Sequence, residues 1–172
     1  MAAKKNTPPL DYPKSLEEML AVSQSVDLGL LRAIPDAIWN TPPPNGKGRS
    51  IVQLFAHIHN VRLMWLVAQK REDLPKKLDA ESITKANALK ALEESASALR
   101  LVIREAAQTP EGRVRDFKPN VAHFTAYLIS HEAHHRGQAT QLARSLGSAI
   151  DQKTMFGMWP WSTHWREAGF GG

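Results

Sequence analysis

Apolar residues recur at intervals of three and four along four long segments of the chain, and proline- and glycine-rich stretches separate these segments. Such spacing places the apolar side chains on one face of an α-helix, and no segment shows the alternation of a half-buried strand. We therefore predict core helices at about residues 15–34, 50–71, 82–107 and 120–147. Amphipathic helices bury their apolar faces by packing together. The predicted fold class is all-α, a four-helix bundle followed by an aromatic C-terminal tail at residues 148–172.

Local signals indicate where these helices begin and end. The Ser-x-x-Glu sequence at Ser15 and the Ser-x-x-Gln sequence at Ser50 have the spacing of a capping box. Asn120 is a favourable N-cap for the last helix, and Gly147 is a favourable residue to end it. Residues 40–49 contain three prolines and two glycines, which predicts a loop. This loop is longer than a simple helix hairpin needs, so the order of the helices around the bundle stays open.

Length and composition limit the class of protein. A chain of 172 residues fits one domain, residues 1–172, and can bury an adequate core without disulfides. The absence of cysteine leaves only nitrogen and oxygen ligands for any bound metal. The polar N-terminus lacks the apolar core of a secretory signal, and the apolar runs are interrupted before the roughly 18 residues that a membrane span needs. We therefore expect a cytoplasmic protein that does not cross a membrane.

The charge distribution argues against nucleic acid as a partner. The net charge is +5, which is a sign that can attract phosphates. The 22 Lys and Arg residues are nevertheless spread along the chain instead of forming a basic cluster. We expect no nucleic-acid binding.

Histidines give the strongest functional signal. His131 and His135 are one turn apart in the middle of the apolar face of the fourth helix, so both imidazoles can reach one ion. His57 flanks the apolar face of the second helix and can supply a third ligand, whereas His59 is predicted to face solvent. Three neutral histidines with open coordination positions suit Zn²⁺, Ni²⁺ or another first-row ion. The alternative is that these histidines are hydrogen-bonded core residues.

Residues beside the histidines have weaker signals. Arg136 is predicted to form a structural ion pair, or alternatively to bind an anionic substrate. Gln138 projects close to the ligand face and is expected to support the ligands or to line the pocket. His134 projects to the rim, and Gly137 is expected to allow close packing of helices.

Other polar residues near the proposed site are expected to lie outside the core. Asn60 and Arg62 are predicted to face solvent, and Glu132 projects to the side of the histidine stripe. We therefore predict no inward pair of carboxylates that would mark a general acid and base.

The residues around the histidines resemble a known family. Residues 131–138, HEAHHRGQ, resemble the HxxHHRGQ signature of the DinB-like superfamily, and residues 54–60 with Trp65 resemble the second helix of that family. The resemblance covers nearly the whole chain, including the proline-rich loop with Trp39 before it and the long fourth helix that ends at Gly147. It implies an antiparallel four-helix bundle with a long crossover, a three-histidine metal site open to a pocket, and a homodimer. The better understood relatives are metal-dependent transferases or isomerases that use low-molecular-weight thiols such as bacillithiol or mycothiol.

Three functions remain open from the sequence. The first is a metal-dependent thiol S-transferase, or a related isomerase, acting on a small electrophile. The second is a non-catalytic, metal-stabilised bundle of the stress-response type. The third is a macromolecular interaction module that uses the basic surface or the aromatic tail. That tail is interpreted as a lid over one end of the bundle, with a pocket wall or a dimer contact as alternatives, because it contains Met155, Phe156, Met158, Trp159, Trp161 and Trp165.

Overall fold

A computed structural model describes residues 9–170, and this part of the chain is all-helical, without strands. A short 3₁₀ turn, Asp36–Ile38, lies in the first connection. The helices are α1 (Tyr12–Ala33), α2 (Ile51–Ala68), α3 (Lys85–Gln108), α4 (Val121–Ser145), α5 (Gln152–Gly157) and α6 (Trp161–Glu167). The predicted all-α bundle is confirmed. The first four helices form it, and α5 and α6 lie in the predicted tail.

The ends of α2 and α4 are capped as the sequence predicts. Ser50 and Gln53 form a reciprocal capping box at the start of α2. The Asn120 side chain accepts two backbone N–H groups at the start of α4. Gly147 has a φ of +73°, a left-handed conformation that glycine adopts without steric cost, and the next N–H returns to the carbonyl of Ala143.

The predicted capping box at Ser15 is wrong. The helix starts earlier, because the Asp11 side chain accepts the backbone N–H of Lys14 and acts as the cap. Ser15 lies inside α1 and donates its hydroxyl to the carbonyl of Asp11. Asp11 as the N-cap, with Pro13 in the first turn, is a stronger helix-start signal than the capping-box sequence at Ser15.

Side-chain contacts define the directions of the helices. Glu17, near the start of α1, pairs with Arg104, near the end of α3. Lys85, at the start of α3, donates to the carbonyl of Ile34 just after α1. These two helices therefore run antiparallel.

The helices that carry the histidines also run antiparallel. His57, near the start of α2, contacts His135 in the second half of α4, and Trp65 packs against Phe124 near the start of α4. By contrast, α2 runs parallel to α3, and residues 69–84 form the long crossover between them. The α1 and α2 helices each pack against both α3 and α4, which places α1 and α2 diagonally across the bundle.

The buried interior contains two apolar clusters with a polar layer between them. One cluster takes residues from the C-terminal halves of α1 and α4, and the other from their N-terminal halves. The largest fully buried apolar side chains are Phe55, Phe124, Leu20, Leu30, Leu31, Ile34, Ile51, Ile58, Leu66, Leu92 and Leu99. The polar layer between the clusters contains Ser23, Gln24, Asp27, His59, Arg62, Ser95, Glu132 and His135. The middle of the bundle is therefore built for polar contacts.

Among the described residues, α2 alone is long and apolar enough to cross a membrane by length and composition. Just over half of the segment, 56%, is buried inside the bundle. It also carries the fully buried Arg62 and His59. These properties are those of a core helix.

The tail returns along the side of the bundle and packs against α1. His164 is buried there, where Ser25 donates to its Nδ1 at 2.9 Å and its Nε2 donates to the carbonyl of Gly157 at 2.8 Å. Trp159 and Trp161 remain exposed. Ile150 and Met158 pack against the apolar cluster formed by the C-terminal halves of α1 and α4, whereas α6 covers the flank of the bundle around the middle of α1, so the tail is only in part the expected lid over one end.

Candidate metal centre

Three imidazole nitrogens converge between α2 and α4. The Nε2 atom of His131 lies 3.3 Å from that of His57 and 3.1 Å from that of His135. These three residues are a group whose ligand atoms all lie within 4.8 Å of one another. The structure therefore brings together the three histidines that the sequence selected as metal ligands.

The spacing of these nitrogens fits one ion. A tetrahedral Zn²⁺ with imidazole nitrogens at about 2.0–2.1 Å holds them about 3.3 Å apart. The two measured separations, 3.3 and 3.1 Å, agree with that value. Three histidine ligands leave at least one coordination position for water or a substrate. The donor set suits several first-row ions and does not select one.

The electrostatic environment favours the neutral imidazoles that bind metal. Burial, followed by the charge of Arg49, lowers the pKa of His57 to about 4. Burial also lowers the pKa of His131 and of His135. The three side chains are therefore unprotonated at neutral pH, with lone pairs available for coordination.

Two further side chains orient the ligands. The Nδ1–H of His135 donates to Oε1 of Gln138 at 2.7 Å, and an amide oxygen can only accept. This bond places the proton on Nδ1 and leaves the lone pair on Nε2, which points at the other histidines. Tyr127 stacks on His131 with ring centroids 6.1 Å apart. The prediction that Gln138 supports the ligands agrees with this geometry, whereas the role of Tyr127 was not predicted.

A buried charge cluster lies directly beside the metal centre. Arg62 donates to Glu132 at 2.7 Å, to Asp27 at 3.1 Å and to the carbonyl of Leu92 at 2.9 Å. Arg136 donates to Asp27 at 2.5 Å, which agrees with its predicted structural ion pair. Arg62, Asp27 and Glu132 are each at most 1% exposed. We call these four side chains, Asp27, Arg62, Glu132 and Arg136, the buried charge cluster.

This cluster corrects two expectations. Arg62 does not face solvent but is the largest fully buried side chain among the described residues. An inward carboxylate pair does exist, formed by Asp27 and Glu132. The four residues hold two positive and two negative formal charges, and they join α1, α2 and α4 beside His131 and His135. Their arrangement fixes the rotation of the helices that present the ligands.

The two carboxyl groups have different proton affinities. Complete burial and the nearby Glu132 raise the pKa of Asp27 to about 7. Burial also opposes ionisation of Glu132, but the charge and hydrogen bond of Arg62 outweigh it and lower the pKa of Glu132. Glu132 is therefore ionised at neutral pH, while Asp27 can hold a proton.

A surface groove of about 1330 Å³ borders the centre. It lies between the proline-rich loop, which contributes Lys47 and Arg49, and the face of α4 that carries His134 and Gln138. None of the three ligand histidines lines the groove, but Gln138 belongs to the groove wall and also binds His135, so one side chain connects the groove to the centre. His134 is exposed, as predicted for a rim residue. Gly137 is exposed in the groove and a Cβ there would meet nothing within 4 Å, so its predicted role in helix packing is wrong.

Comparison with protein families decides where this chain belongs. The model of the DinB superfamily matches residues 19–139, which is more than half of the chain. This chain belongs to the DinB superfamily. The matched region of this DinB protein contains all three histidines and the whole buried charge cluster. No curated protein and no solved structure matches the chain.

Two polar residues of α2 depart from their predicted positions. His59 is fully buried, with Nδ1 3.0 Å from the carbonyl of Ala91 and Nε2 3.0 Å from the carbonyl of Lys76. Asn60 is half-buried and binds both backbone groups of Leu78. Both side chains therefore anchor the crossover to α2, instead of facing solvent.

Proposed function

We propose that this DinB protein is a metal-dependent enzyme, a thiol S-transferase or a related isomerase, that acts on a small electrophile. The observation that carries the proposal is the convergence of three histidine nitrogens at a spacing that suits one ion. A surface groove lies beside this centre and is connected to it through Gln138. A purely structural site has four protein ligands and is closed, whereas three ligands leave room for a reacting group. Zn²⁺ or Ni²⁺ as the ion, a cytoplasmic location and a homodimer belong to the same proposal.

The chemistry needs a nucleophile that the chain itself does not supply. The protein has no cysteine, so the sulfur must come from a small thiol. A divalent ion, when bound, lowers the pKa of a coordinated thiol and so provides thiolate at neutral pH. In the transfer, the thiol loses its proton, sulfur forms a bond to the electrophilic carbon, and the leaving group departs with its bonding electrons.

The residues of the chain have distinct roles in this proposal. His57, His131 and His135 hold the ion, and Gln138 keeps one of them in the required tautomer. His134 is exposed in the groove wall, where its imidazole can accept the proton that the thiol loses. Glu132 is held by Arg62 in the core, so it supports the site instead of exchanging protons with substrate.

A second function has one observation in its favour. The three histidines come from two helices, His57 from α2 and the others from α4, so an ion would cross-link the bundle. A protein of this kind is stabilised by the metal without catalysing a reaction.

Thiol-dependent conversion of a chromogenic aryl halide separates the two functions. We expect metal-loaded protein to accelerate the reaction of a small thiol, and we expect a chelator and His131→Ala to abolish the effect. His123→Ala is the matched control, because His123 lies exposed on the same helix and binds only its own helix cap. A metal-loaded protein that gains thermal stability but accelerates no thiol reaction would support the non-catalytic bundle.

A further inference from the structure

We infer that the groove beside the metal centre recognises carboxylate groups, so that the thiol or its electrophilic partner is an anionic molecule with an extended body. This inference rests on the proposed function and adds the chemical class of its substrate. We call the groove between residues 43–49 and α4 the anion groove.

The charged side chains that line the groove are all positive. Lys47 and Arg49 line it, and none of the described residues in its wall is Asp or Glu. Neither cation lies within ion-pair distance of a carboxylate in residues 9–170. The groove therefore offers two positive charges that the fold itself does not neutralise.

The loop gives these cations a defined position. The N–H of Gly46 donates to the carbonyl of Pro43 at 2.9 Å, and the N–H of Lys47 donates to the side chain of Asn45 at 3.1 Å. Gly48 has a φ of +91°, a conformation that a residue with a side chain rarely adopts. Arg49 directly precedes the Ser50 cap of α2, so the end of the loop is tied to a core helix.

The cations share the groove wall with residues that adjoin the three histidines in sequence. Arg49 lines the same groove as Leu54, which precedes His57 by about one turn of α2, and His134, which directly precedes His135 on α4. Gln138 connects the two regions through its bond to His135.

The rest of the wall suits the body of such a ligand. Pro43, Pro44, Leu54 and Leu142 contribute apolar surface, and Gln141 contributes an amide. A molecule with a sulfur or reactive carbon at one end and carboxylates at the other matches this order of groups.

Three matched thiols test the inference: 6-mercaptohexanoate, 6-mercaptohexanol and 6-aminohexanethiol, which differ only in the terminal group. Their affinities are read from the sulfur-to-metal absorption of the Co²⁺-loaded protein, a signal that does not depend on catalysis. We expect the carboxylate to bind about three- to tenfold more tightly than the alcohol, since two exposed cations contribute modestly each, and the amine to bind least. The preference should disappear in the Lys47→Ala/Arg49→Ala variant and persist in Lys118→Ala/Lys153→Ala, which removes two lysines outside the groove.

The outcomes distinguish failure of this inference from failure of the proposed thiol function. Equal affinities in the native protein, or a preference that survives loss of Lys47 and Arg49, would overturn the inference while leaving the thiol function intact. If no thiol binds, the proposed function fails. In that case hexanoate is titrated alone by NMR, where shifts confined to residues 43–49 and the facing part of α4 support the inference and their absence overturns it.

Discussion

Removal of Arg62 should be among the most destabilising single substitutions in the bundle. In Arg62→Met, Asp27 and Glu132 lose their shared partner while staying buried, and the carbonyl of Leu92 loses a donor. Breaking a buried ion pair from one side costs about 3–5 kcal/mol. A domain of this size shifts its Tm by about 2–4 °C per kcal/mol, so we expect a decrease of roughly 6–20 °C.

The matched control is Arg32→Met. Arg32 also pairs with a carboxylate, Glu93 at 3.4 Å, but both side chains are more than half exposed. Exposed pairs contribute about 0.2–1 kcal/mol, so the Tm should fall by at most about 4 °C. Calorimetry on metal-free protein gives both values. Equal shifts in the two variants would refute the argument that the buried charge cluster holds the middle of the bundle together.

Two further predictions concern the same region. Because the folded-state pKa of Asp27 is raised to about 7, the neutral carboxyl stabilises the fold at low pH and this contribution is lost as pH rises from about 4 to about 7. Urea titrations at several pH values give the free energy of unfolding of the native protein and of Asp27→Asn. The native value minus the variant value should fall over that interval, by at most about 1.4 kcal/mol per pH unit. A difference that is flat or that rises with pH would contradict the raised pKa of Asp27. Gln138→Leu removes the acceptor that sets the tautomer of His135, so its metal affinity should be about 10- to 100-fold weaker, as measured by competition with a chelator. The control Gln141→Leu, in the same groove, should leave the metal affinity unchanged.

The ligands on α4 were predictable because that helix has one clear apolar stripe. His131 and His135 continue the series of Phe124 and Leu128, which are fully buried. The burial of His135 follows directly from this periodicity. Two of the four main helix starts, those of α2 and α4, also lie within one residue of their predicted positions, since Ser50 and Asn120 are strong caps.

The buried charge cluster was missed because charged residues are almost never fully buried without a partner, and the partners lie on other helices. A signal was nevertheless present. Arg62 lies four residues from both Ile58 and Leu66, and Glu132 lies four residues after Leu128, in the middle of buried stripes. A charged residue at such a position indicates a compensating charge elsewhere in the core.

The face of α2 was misassigned for a related reason. Apolar residues occur on both its buried and its exposed sides, since Met64 and Val67 are more than half exposed. Periodicity therefore could not show that His59 points inward. The groove was also beyond sequence analysis, because it forms only where residues 43–49 fold against α4.

Metal content is the most direct test of the central claim. The protein is purified without added metal and without a polyhistidine tag, and its metals are measured by elemental analysis beside His57→Ala, His131→Ala, His135→Ala and the control His123→Ala. We predict about one equivalent of a first-row ion in the native protein and in the control, and its loss in each of the three ligand variants. A native protein that stays metal-free after incubation with Zn²⁺, Ni²⁺ and Mn²⁺ would contradict the account and leave the three histidines as polar residues of the bundle.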